Sequence, residues 1–221
     1  MSNRTDKENL LPARSIAERN FYLMILPCAH CQGGPFERVS SESTGDNKVD
    51  IWYVRCRSCR KGKRLLFARS ALLVEDWQEQ PGRLPLVNPS AQASELIDLG
   101  QWLALFYAIV GAAAEASDRK ESQRLGYEAT LCLEEALKFY PPDSELPNPN
   151  AFFTETSQKR FKEHPEQFTR ERLHQMRQKL PSLRVMRASL DRPPSSQPDQ
   201  PGKRGLWDRL RRLFSRRGNR S

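Results

Sequence analysis

The chain has 221 residues, 38% hydrophobic and 29% charged, with five cysteines and a formal net charge of +9. That length allows one or two compact domains with short tails, and four cysteines in C-x-x-C pairs argue against a disulfide framework and for thiols in a reducing compartment. The longest uncharged stretch, Leu99 to Ala114, falls short of the ~20 apolar residues of a membrane span, and no signal peptide is read at the N-terminus, so a soluble, cytoplasmic protein is expected.

The charge is unevenly spread. Residues 181–221 carry 11 Lys/Arg against 3 Asp/Glu, residues 27–70 carry 9 against 4, and residues 90–150 carry 4 against 10. A basic N-terminal module, an acidic middle and a strongly basic tail point to a polyanionic partner, either nucleic acid or an anionic membrane surface.

In chain order, residues 1–20 read as a polar segment. Phe21 to Leu26 form an apolar run that fits a strand or a helix end equally well. Cys28-Ala-His-Cys31 follows, and after 24 residues Cys56-Arg-Ser-Cys59. Between the pairs, Phe36–Val39 and Val49–Val54 alternate as strands, while Ser40 to Lys48 has the composition of a turn. Arg64 to Phe67 offers a third strand. Gly33, Gly34 and Gly62 lie where a residue of positive φ would let the chain turn back after a thiolate loop.

This plan over residues 21–70 resembles a zinc ribbon. The resemblance implies one structural Zn²⁺ per chain held by Cys28, Cys31, Cys56 and Cys59, with an iron–sulfur centre as the alternative. Four thiolates leave no open position for water, so no metal catalysis is expected there. They would also lower the holo net charge to about +7. Arg55, Arg57, Arg60, Lys61, Lys63 and Arg64 surround the second pair. They either offset the thiolates or, with Trp52, Tyr53 and Phe67, contact nucleic acid. His30 is a weaker alternative ligand.

Residues 71–93 read as a connector, with a helical turn over Leu72 to Trp77. Residues 94–180 read as a helical domain of about four helices. Ser94 is the expected cap of the first, with Glu95 and Asp98 in its first turn and Leu96, Leu99, Leu103, Phe106, Val110 and Ala113 on its apolar stripe. Asp118 and Glu121 open the second, Leu125 to Tyr140 give its stripe, and Pro141-Pro142 ends it. Its Ala129, Leu133, Ala136 and Pro141 resemble the second helix of a tetratricopeptide repeat over residues 119–141, without the first-helix signature. Cys132 falls on that stripe as a small hydrophobe. A third helix runs from Asn148-Pro149-Asn150 to Glu163 and a fourth from Pro165 to Leu180.

Residues 181–203 have the composition of a linker. In residues 204–217, Leu206, Trp207, Leu210, Leu213 and Phe214 share one helical side among Arg209, Arg211 and Arg212, a basic amphipathic helix. It suits an anionic membrane, nucleic acid or a groove on a protein partner.

The fold class expected is α+β: a small zinc ribbon of three antiparallel strands, a helical domain and a disordered tail. No enzyme motif is present. The function expected is that of a non-enzymatic binding or adaptor protein on nucleic acid or a nucleoprotein complex, without a small-molecule substrate. The competing expectation is a membrane-peripheral scaffold that docks proteins through the ribbon and the helical hairpin, with the tail on anionic lipid.

Overall fold

The structure is a computed structural model that describes residues 10–72 and 87–180. The tail helix at 204–217, the linker before it and most of the turn at 72–77 lie outside the described residues. What is described is an α+β arrangement of one three-stranded antiparallel sheet and five α-helices.

Helix α1 (Ile16–Ile25) resolves the ambiguity of the apolar run in favour of a helix. It begins inside the segment read as merely polar. Ser15 caps it by accepting the N–H of Glu18, and the Glu18 carboxylate reaches back to the N–H of Arg14 at 2.6 Å. Ser-x-x-Glu before an apolar run is a helix-start signal, so the sequence itself marks this helix. Just before α1, Leu11 bridges to the edge of the sheet, its N–H donating to the Leu66 carbonyl.

The sheet runs β1 (Phe36–Ser43), β2 (Val49–Cys56) and β3 (Gly62–Ala68), in that order. β1 continues through Ser40 to Ser43, which the sequence reading assigned to the turn. As an edge strand paired on one side only, and exposed from Ser40 to Ser43, it tolerates serines that a central strand would not. Asp50, Trp52, Val54 and Cys56 of β2 alternate into the core, where α1 meets the first two. Arg19 of α1 is fully buried there. It donates to Asp50 at 2.8 Å, and its guanidinium lies 4.6 Å from the Phe67 ring centroid and 5.5 Å from that of Trp52.

Helix α2 (Leu99–Ala114) starts four residues later than the Ser94 reading placed it. Its cap is Asp98, in a capping box with Gln101. Ser94 instead closes the preceding turn by accepting the N–H groups of Leu96 and Ile97, and Glu95 lies outside the helix, 3.1 Å from Arg14. Val110, expected on the buried stripe, is exposed. Helix α3 (Arg119–Leu137) has the expected cap, Asp118, and ends three residues before the prolines. It packs antiparallel to α2 as a hairpin, burying Leu125, Ala129, Cys132, Leu133 and Ala136.

The third and fourth helical stretches each split into a 3₁₀ turn and a capped α-helix. Pro149–Ala151 precedes α4 (Glu155–Glu163), capped by Thr154, and Pro165–Phe168 precedes α5 (Arg170–Gln178), capped by Thr169. Prolines supply a helical φ but no N–H, so each suits the start of a short turn.

Asp98 ties these pieces together. Its fully buried carboxylate accepts from Gln101 N–H at 2.7 Å and Ser157 Oγ at 2.8 Å on one oxygen. The other oxygen accepts from the Phe153 and Thr154 N–H groups and from Thr154 Oγ1. α2 and α4 meet at Gly100, where an added Cβ would lie 2.5 Å from Ser157 Oγ. One buried core is continuous from Ala13 through the sheet to Leu173. Phe21 of α1 and Trp102 of α2 meet edge to face at 5.6 Å.

Candidate metal centre

Two loops of the same construction hold the cysteines. In the first, Cys28 N–H donates to the Gly33 carbonyl and Gln32 N–H to the Cys28 carbonyl. In the second, Cys56 N–H donates to Lys61 and Arg60 N–H to Cys56. The residue after each second cysteine has positive φ: Gln32 at 53° and Arg60 at 64°. The expected place for that conformation, the glycines at 33, 34 and 62, is therefore wrong by one or two residues. Gly33 has a different use, since a Cβ there would sit 3.3 Å from Ser58 Oγ of the facing loop.

The second loop continues β2 and the first follows α1, so the packing of helix on sheet brings the two face to face. The Cys28 and Cys59 sulfurs are 3.6 Å apart and those of Cys31 and Cys56 3.8 Å, with all four within 4.8 Å of one another. A metal at ~2.3 Å from four sulfurs in tetrahedral geometry separates them by about 3.8 Å, whereas a disulfide would need ~2.0 Å. The four cysteines thus cluster at metal-binding distance. Cys28 and Cys56 are buried, Cys59 is half-buried and Cys31 is exposed.

The electrostatics fit a cation. Backbone N–H groups of Cys31 and His30 bring the Cys28 thiol down to about 6. Cys31 receives the Gly33 N–H, which lowers it, yet desolvation against the facing loop and the neighbouring thiols push it up to about 12. Four thiols this close cannot all ionise on their own; a divalent ion removes that conflict. Cys132 stands apart on α3, its thiol held well up by burial in the core. His30 is exposed and is not a member of the cluster.

The six basic residues divide into two groups. Arg55 donates to Glu37 Oε1 through Nε at 3.1 Å and Nη2 at 2.9 Å, and Arg60 reaches the same oxygen at 3.2 Å. Arg57 holds Oε2 at 3.0 Å. Hydrogen bonding from Arg57, then Arg55, holds the Glu37 carboxyl below its usual range. Three guanidiniums on one carboxylate leave two positive charges beside the sulfurs, which matches the two negative charges of a divalent ion in four thiolates. Glu37 was not singled out in the sequence; only its spacing from the arginines across the strand pair, Glu37 opposite Arg55, would have indicated it. Lys61, Lys63 and Arg64 lie exposed at the start of β3, with Lys63 Nζ 5.8 Å from the Phe36 ring centroid. The tail residues at 206–214 lie outside the described residues.

Comparison with known proteins finds no matching family model, no matching curated protein and no matching solved structure. Among the described residues, no helix is long and apolar enough to cross a membrane.

Proposed function

We propose that the chain is a zinc-stabilised binding protein, non-enzymatic and cytoplasmic, whose zinc ribbon presents a basic edge to nucleic acid or a nucleoprotein complex. The observation that carries this reading is the set of four sulfurs within 4.8 Å on two matched loops. When bound, Zn²⁺ would be held by Cys28, Cys31, Cys56 and Cys59 and would supply folding energy to the sheet and the two sulfur loops. With four protein ligands no position stays open for a substrate or water, which supports binding over catalysis.

The pairing of the arginines refines where the polyanion is met. Arg55, Arg57 and Arg60 are held by Glu37 and balance the thiolates, so the contact falls chiefly to the exposed Lys61 and Lys63, with Arg55 and Arg64 adding positive field beside them. A second reading, a membrane-peripheral scaffold docking proteins, is favoured only by the basic amphipathic pattern of residues 204–217.

Salt titration of oligonucleotide binding by the full chain tests the first reading. Affinity should fall steeply with salt, and Lys61→Ala or Lys63→Ala should each lower the log–log slope by about 1. Absence of binding at about 50 mM salt, together with sedimentation on anionic vesicles, would replace it with the second.

A further inference from the structure

We propose that the outward face of the sheet is a platform for single-stranded nucleic acid, with Tyr53 as the residue on which an unpaired base stacks. This rests on the nucleic-acid reading above and names the strand state and the surface.

The register puts Ser40, Tyr53 and Arg64 in one row across the three strands, with Glu37, Arg55 and Gly62 in the next outward row toward the metal centre. Tyr53 stands on the central strand. It is 39% exposed, whereas its neighbours Trp52 and Val54 are buried on the face that takes α1. Its hydroxyl donates to Glu42 at 2.6 Å, which fixes the outer end of the ring and leaves a positioned aromatic at the surface. Beside it the register shifts between Arg38 and Ser40, and this bulge turns Val39 out to 57% exposure. Ordinary strand alternation does not require an apolar residue there.

Charge selects the occupant. Two guanidinium residues, Arg55 and Arg64, flank the tyrosine, and Lys61 lies just beyond. Of the carboxylates described on this face, Glu37 is offset by three arginines, while Glu42 accepts from the tyrosine hydroxyl and keeps its charge, so the cations outnumber the anions. An aromatic ring between cations suits bases alternating with phosphates, because every base offers a π-face and every phosphate a negative charge. In a duplex the base faces are stacked on one another and only base edges and phosphates are presented, so Tyr53 would have no face to stack on there.

The test compares full-length wild type, Tyr53→Ala and Tyr53→Phe by fluorescence anisotropy on a labelled oligothymidylate and on a duplex of equal length. Zinc content and far-UV circular dichroism serve as controls for folding. Wild type should favour the single strand over the duplex by about tenfold, Tyr53→Ala should lose about tenfold on the single strand only, and Tyr53→Phe should retain most of the affinity. Ultraviolet crosslinking of wild type to iodouracil-substituted oligonucleotide should yield an adduct at Tyr53, a readout that does not depend on how the variants fold. Adducts confined to residues 181–221, or unchanged single-strand binding by a folded Tyr53→Ala, would overturn the inference. If Lys61→Ala still weakened binding in that case, the broader nucleic-acid reading would survive without it. Binding of neither oligonucleotide would remove both.

Discussion

Asp98 has the most concentrated set of obligations of any single side chain described. It caps α2, accepts two N–H groups from the 153–154 segment and takes two hydroxyls from α4. Asp98→Ala would leave these buried donors without an acceptor and is expected to cost about 3 kcal/mol or more. Urea unfolding of the variant checks this; a loss below ~1 kcal/mol would show that water or a local shift replaces the carboxylate. A second residue-scale expectation concerns Gln32, whose φ of 53° is one that side chains rarely adopt. Gln32→Gly should raise stability by about 1 kcal/mol without altering the metal ligands, as read by thermal melting in the presence of zinc. These two sites also mark what the sequence conceals. Asp98 was visible as an acidic residue near a helix start. Its choice over Ser94 depends on Thr154 and Ser157, more than 50 positions away. Propensity favours the neighbouring glycines for a positive φ, while the hydrogen bonds of the sulfur loops place it at Gln32 and Arg60.

At the scale of elements, α1 and α3 bring two carboxylates into the interior beside the 87–98 segment. Glu135 is pushed up to about 7, chiefly by burial, with the Glu18 charge adding to it and Lys138 and Asn88 opposing. Glu18 is also raised, again by burial, against the pull of Ser94 and Arg14. A carboxyl raised on folding keeps its proton in the native state over a range where the unfolded chain has lost it. Its contribution is therefore full below the ordinary value of 4.5 and is lost as pH rises toward 7. Glu135→Gln removes this penalty. It should gain stability relative to wild type on going from pH 5 to pH 8, by roughly 2–3 kcal/mol. Urea melts of both chains at the two pH values check the sign, the cysteine cluster contributing equally to each; a constant difference between the chains would contradict it. Elements with a strong period were legible in sequence: α3, the central strand β2 and the two cysteine loops. β1 was half missed because Ser40 to Ser43 have turn composition, and only pairing with Asp50 to Tyr53 makes them a strand. The first half of α1 is hard to read because it lies in a polar stretch, where only the capping pair Ser15 and Glu18 announces a helix.

Over the whole molecule, the boundary read near residue 20 falls inside α1, and that helix touches both halves. Ser15 donates to the Val87 carbonyl, Arg14 to that of Ala93, Ser94 to Glu18, and Phe21 packs on Trp102. On sequence alone, loss of a cysteine would unfold residues 21–70 and spare the helical hairpin. With α1 shared, chelation of the metal is expected to lower the melting temperature of the entire helical signal, in one transition with that of Trp52 fluorescence; two separated transitions would show independent domains. Both the proposed function and the coupling through α1 depend on the metal. Its most direct measurement is the zinc content of the purified full-length chain by mass spectrometry, with the visible spectrum of the cobalt-substituted form. One zinc per chain and a tetrahedral thiolate spectrum are expected for wild type and for Cys132→Ala, with both lost in Cys31→Ala. A wild-type chain that takes up no zinc, or a Cys31→Ala chain that keeps one with unchanged affinity, would contradict the four-cysteine centre.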